Sequence, residues 1–174
     1  FLGAVVAVAA VIGIALVVVA LADERREAET LTLAVARSLA SDPAVAQAVA
    51  AGGTDATDAL QPLAVEVTAE TPIDFVTIMT PEGIRLTHPD PAQIGLPYIG
   101  TIADAAAGEV VLEEFTGTLG PSVRAVVPVM VDGRVVGLVA AGVTVHWARD
   151  AITTSCAASS RATRPWSRRD SAVW

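Results

Sequence analysis

Residues 72–88 read Pro72-Ile73-Asp74-Phe75-Val76-Thr77-Ile78-Met79-Thr80-Pro81-Glu82-Gly83-Ile84-Arg85-Leu86-Thr87-His88. Within this stretch the chain changes period. Asp74 to Thr80 is rich in β-branched and aromatic residues, Pro81-Glu82-Gly83 turns the chain, and Ile84 to Thr87 returns as a second strand. Residues before Pro72 have a helical pattern, and most of those after it have a β pattern. That order predicts an α+β fold.

Working backward, the spacing predicts a helix over Asp55 to Glu70 with Leu60, Leu63 and Val67 inward; Pro62 either kinks it or marks its start. A shorter helix covers Ala44 to Ala51, with Asp42 as its cap and Pro43 at its first position, and it ends at Gly52-Gly53. Before it, Leu31, Val35 and Leu39 recur near the helical period. Phe1 to Ala22 carries no charge and no proline. It is long enough to cross a bilayer, and its apolar run exceeds the core of a cleavable signal, the competing reading of Ala20-Leu21-Ala22. The chain begins at Phe1 and reads as a fragment.

Working forward, His88 to Gly100 is a Pro- and Gly-rich loop over the sheet, and Thr101 to Ala107 is a short helix ended by Gly108. Glu109 to Thr116, Ser122 to Val131 and Arg134 to Val145 are three further strands, the last two joined by the tight-turn pair Asp132-Gly133. Val135 to Val143 is apolar on both faces, which suits a central strand. The expected architecture is therefore a five-stranded, mainly antiparallel sheet with long N-terminal helices. One transmembrane helix (1–22) precedes a globular domain (23–146), and 147–174 is an irregular or truncated tail rich in Ser, Thr and Arg.

Composition narrows the function. The chain has 174 residues and is 53% hydrophobic, with much of the excess in residues 1–22. All eleven basic residues are Arg. Between Asp23 and Asp150 there are eighteen acids and seven arginines, a balance that repels nucleic acid. Any anion site must therefore be a local cluster of cations. The single Cys156 excludes an internal disulfide and a cysteine-based zinc site. His88 and His146 lack metal-ligand spacing, and no nucleophile or phosphate-loop motif is present.

Two stretches remain. Arg85 stands three residues before His88; strict alternation places them on opposite faces, but Pro89 lets the chain bend and bring both to one site. Gly117-Thr118-Leu119-Gly120 is a hairpin loop whose backbone N–H groups can face an anion. It is followed by Arg124, a cation in an apolar strand that needs a partner. A guanidinium presents a planar fork to a carboxylate. The structural alternatives are a surface Arg85, a turn His88, and an Arg124 paired to Glu113 or Glu114. Thr77 can add a hydroxyl, and Ala140, Ala141 and Gly142 leave room on the central strand or allow close helix packing.

Gly83 to Gly95 followed by Gly117 to Arg124 resembles the extracytoplasmic PAS-like (Cache-type) sensor domain of citrate and four-carbon-dicarboxylate sensor histidine kinases, over roughly Glu24 to Val145. The resemblance implies a PAS-like sheet and a cell-membrane protein with its sensor domain outside the cytoplasm. It implies a pocket for a small di- or tricarboxylate contacted by Thr77, Arg85, His88, Thr118, Leu119 and Arg124, with no cofactor and no metal. It also implies a homodimer that signals to a cytoplasmic response regulator through a kinase part not present in this chain, so the fragment senses but is no enzyme. Citrate-binding members carry a Lys where this chain has Val126 and a Ser where it has Ala140. Those losses point to malate, succinate or fumarate. The alternative function is a ligand-free extracytoplasmic dimerisation or interaction module.

Overall fold

A computed structural model describes residues 2–117 and 120–144. The tail expected over 147–174, and His146, lie outside the described residues. Three helices come first: α1 (Leu2–Ala40), α2 (Pro43–Ala51) and α3 (Gly53–Glu70). Strand β1 (Phe75–Met79), a short helix α4 (Ala103–Ala106), and strands β2 (Val111–Gly117), β3 (Gly120–Val131) and β4 (Arg134–Thr144) complete the order. The fold is α+β, and every strand pairing is antiparallel, in the order β1-β4-β3-β2. Strand β4, apolar on both faces over Val135 to Val143, is interior to the sheet, as expected.

Local chemistry explains most boundaries. Asp42 accepts from the Ala44 N–H at 2.8 Å and Pro43 occupies the first turn of α2. Asp132 and Gly133 both have positive φ, 49° and 75°, the conformation that a two-residue hairpin turn between twisted strands requires. Pro62 lies inside α3 rather than at its start.

Among the described residues the sheet has four strands, not five. Ile84 to Thr87 makes only isolated bridges, Met79 to Arg85 and Ile84 to Pro97. The reason lies in Thr87, whose hydroxyl substitutes for a neighbouring backbone. It accepts from the Ile78 N–H at 2.8 Å and donates to the Val76 carbonyl at 3.3 Å. The Leu86 and Thr87 N–H groups share the Ile78 carbonyl. The outer edge of β1 is thereby satisfied without a ladder. Residues 83–85 pair instead with the loop: Gly95 N–H donates to Arg85, Arg85 N–H to Leu96, and Tyr98 N–H to Gly83. This folds the loop back over the sheet.

The two sheet faces are covered differently. Val76, Ile78, Ala125, Val127, Val129, Val139 and Ala141 face the helices. Thr32, Ala36 and Ala40 form a buried seam of small residues on α1, which lies against β3 and β4. Gly137 serves the same closeness, since a Cβ there would stand 2.4 Å from Val49 Cγ1 of α2. On the opposite face, Met79, Val126, Leu138 and Ala140 pack with Ala105, Tyr98 and Ile102 of the 80–110 segment.

The membrane segment expected over 1–22 does not form a separate element. It is the first part of α1, which runs on unbroken through the charged residues 23–37. Among the described residues, no helix is long and apolar enough to cross a membrane. Even so, Val5, Val6, Val8, Val11, Ile12, Ile14, Leu16, Val17, Val18 and Val19 are all exposed. These side chains point to every side of α1.

Candidate ligand-binding site

Arg124 lies on the loop-covered face of β3, opposite Glu113 of β2 and Gly142 of β4 in the register. Its side chain is 3% exposed. Its Nε donates to Glu113 Oε1 at 2.9 Å and its Nη1 to the Ile99 carbonyl at 3.1 Å. Nη2 stands 2.7 Å from the same Oε1, an ion-pair contact that is off-line for a hydrogen bond. The guanidinium lies 4.0 Å from the centre of the Phe115 ring and 4.9 Å from that of Tyr98. Gly100 makes this possible, because a Cβ there would fall 1.9 Å from Arg124 Nη2.

Arg85 reaches the same tyrosine, 5.9 Å from its centre. Its Nη1 donates to Gln93 Oε1 at 2.9 Å. Burial pulls the guanidinium below its ordinary pKa, opposed by Tyr98. His88 is anchored by α3: Gln61 Nε2 donates to its carbonyl at 2.9 Å, and Gln61 Oε1 accepts its N–H at 3.0 Å. His88 Nδ1 stands 3.0 Å from the Asp90 N–H and 3.1 Å from the Asp90 carbonyl, accepting from the first in one tautomer and donating to the second in the other. Burial, and secondarily the Arg85 charge, lower the His88 pKa against the pull of Asp90. Arg85 and His88 lie within electrostatic reach of each other.

Thr77 is 1% exposed and pairs with Ala140, placing it on the same sheet face as Arg124. It lies two strands and one row away, so it belongs to the floor, about 10 Å across. Thr118 and Leu119 lie outside the described residues. The space expected around Gly142 is taken by Phe75, whose Cζ would be 2.2 Å from a Cβ at that position. Ala141 faces the helices, and Ala140 is buried on this face among Met79, Val126 and Leu138.

Tyr98 is absent from the contacts expected of the sequence, although it is the only tyrosine in the chain. Burial pushes its pKa up to about 12, with Glu113 adding to the rise and Arg124 and Arg85 opposing it. The phenol therefore stays neutral and able to donate. Among the described residues, three buried groups meet no hydrogen-bond partner: Arg85 Nε, the Tyr98 hydroxyl and Arg124 Nη2. Leaving such groups unpaired is costly, and all three gather around one ring. The arrangement is suited to receiving oxygen acceptors that carry negative charge. Among the described residues, no group of three or more His, Cys, Asp or Glu side chains could hold a metal ion.

The sequence profile of the single cache domain 3 family matches residues 9–155. The chain is 34% identical over 113 residues to the "Sensor protein CitS" of Halalkalibacterium halodurans, covering 63% of this chain and 21% of that protein. It is 28% identical over 109 residues to a "Probable C4-dicarboxylate sensor kinase" of the same organism, covering 62% and 20%. The chain thus spans about a fifth of the length of these curated relatives. Among solved structures, the sensor domain of E. coli DcuS superimposes with a TM-score of 0.64 at 25% identity, over 74% of this chain and 97% of that one. The V. cholerae DctB sensor domain gives 0.59 at 13% identity over 70% and 52%, a likeness of fold alone.

Proposed function

Since the chain belongs to the single cache domain 3 family, we propose that it is the extracytoplasmic sensing part of a membrane-bound two-component histidine kinase, and that it binds a small carboxylate. Arg85, His88 and Arg124 hold the ligand carboxylates, Tyr98 donates its hydroxyl, Thr77 lies in the floor, and Thr118 and Leu119 are the further contacts that the family resemblance implies. One observation carries this reading: two buried guanidinium groups, Arg85 and Arg124, converge on the buried Tyr98, and Arg85 Nε and the Tyr98 hydroxyl meet no hydrogen-bond partner. The names of the relatives support it, since one is a C4-dicarboxylate sensor kinase by title. Val126 and Ala140, which supply neither a cation nor a hydroxyl, favour malate, succinate or fumarate over citrate.

Each charge-assisted hydrogen bond contributes about 1.5–3 kcal/mol. Several together reach the roughly 8 kcal/mol of a micromolar complex after association costs. Signalling needs only that the ligand favour one of two states. Its contacts draw the 80–110 segment toward β3 and β4, and a homodimer passes the shift across the membrane to a response regulator. Residues 1–22 provide the anchor, supported by their exposed apolar surface.

The ion pair between Arg124 and Glu113 favours the second reading, an interaction module in which both arginines are structural. Calorimetric titration of the detergent-solubilised chain with malate, succinate, fumarate and citrate separates the two. Binding of a dicarboxylate that disappears in a folded Arg124→Ala chain is the expected result. Silence across the panel from a folded chain rejects the sensor reading in favour of the module.

A further inference from the structure

Among the described residues, Glu113 is the acid built into the site. Its place is set by backbone register, opposite Arg124 in the β2–β3 ladder, so its charge is held there by the sheet rather than by a mobile loop. Its carboxylate meets both Nε and Nη2 of Arg124 through Oε1, at 2.9 and 2.7 Å. The Ile99 carbonyl takes Nη1. Glu113 thus closes the Nε–Nη2 edge of the Arg124 fork, and a ligand carboxylate is left with the one remaining hydrogen on each of Nη1 and Nη2. Arg85 and Arg124 bring two positive charges, Glu113 removes one, and His88, buried against the Arg85 charge, is neutral at pH 7.5.

We propose that Glu113 is a charge selector. By cancelling one of the two guanidinium charges, it makes every additional carboxylate on the ligand less favourable, and so excludes tricarboxylates. The inference rests on the carboxylate-binding reading above and deepens it. A repulsion of this kind scales with ligand charge, so its signature is a gradient across ligands rather than a uniform gain or loss. Discrimination by a repulsive group is a common route to specificity.

The test uses three acids of similar backbone and rising charge, namely monomethyl succinate, succinate and propane-1,2,3-tricarboxylate, titrated at pH 7.5 into the detergent-solubilised chain. The native chain is expected to bind succinate at least about tenfold more tightly than the tricarboxylate. Glu113→Gln keeps an acceptor oxygen for Arg124 and removes the charge. It is expected to gain affinity in steps of about threefold for the monoester, tenfold for succinate and thirtyfold for the tricarboxylate. Glu114→Gln removes the same charge from the opposite face, where Glu114 pairs with Arg25, and should leave all three affinities within twofold. If Glu113→Gln does not fold by circular dichroism, Glu113→Ser repeats the measurement. A uniform change across the three acids, or none, overturns the selector while leaving carboxylate binding intact. Absence of binding by both native and variant chains overturns the carboxylate reading and the selector with it.

Discussion

Arg124 is a buried cation held by what surrounds it, and Gly100 is the residue that permits the arrangement. Replacing Gly100 by Ala drives a methyl into Nη2 and toward Tyr98, whose Cε1 would be 2.9 Å away. Either ring or guanidinium must move. Gly100→Ala should therefore weaken dicarboxylate binding by about tenfold or more, read by calorimetry, while the circular dichroism spectrum stays native. His88 supports a prediction of a different kind. Its folded pKa lies below the ordinary value, so below about pH 6.5 the unfolded chain takes up a proton that the native chain resists. The His88 contribution is full above that pH and is lost as pH falls toward the lower native value. Thermal melts should show a drop in stability between pH 7.5 and 5.5 that is smaller in His88→Asn, since an Asn oxygen can still accept from Asp90 N–H. Equal drops in the two chains would remove this account. A bound carboxylate favours the charged imidazole, so affinity should rise over the same interval.

Among the elements, the edge of β1 is the most informative. A strand pattern over Ile84 to Thr87 is legible in the sequence, but a threonine hydroxyl bridging Val76 and Ile78 closes the edge and releases residues 83–85 to pair with the loop that carries Tyr98. Thr87→Val keeps the shape and removes the bridge. With one buried donor and one buried acceptor left weaker, it should cost about 1–3 kcal/mol in denaturant unfolding. A cost near zero would mean that β1 finds other partners. By contrast, the α2 cap at Asp42-Pro43 and the turn at Asp132-Gly133 stand where local rules put them, because both depend on one or two residues and their own backbone. The continuity of α1 is legible too, since the helical pattern runs on past residue 22: its apolar and charged halves differ in composition but not in backbone preference.

At the scale of the whole molecule, α1 joins the exposed apolar stretch to the sheet. Its buried seam at Thr32, Ala36 and Ala40 brings it close to β3 and β4, while Arg25 reaches Glu114 of β2 at 3.1 Å. That exposed pair adds little stability, but the buried seam makes α1 and the sheet move together. The anchor reading predicts that the full chain stays with membranes through an alkaline carbonate wash, whereas a chain lacking residues 1–22 is released. Release of both would sink it.

The order of elements, the caps and turns, and the two arginine-bearing segments come from the sequence alone, since each reflects local backbone preference or hydrophobic period. The sequence left Arg124 to pair with either Glu113 or Glu114, and the β2–β3 register decided for Glu113. Only the tertiary structure decided that Thr87 replaces a strand, that Phe75 fills the space over Gly142, and that Arg85, Tyr98 and Arg124 share one set of unpaired donors. The physical reason is that hydrogen-bond satisfaction of a buried group is a sum over every neighbour the fold supplies. No stretch of chain contains that sum.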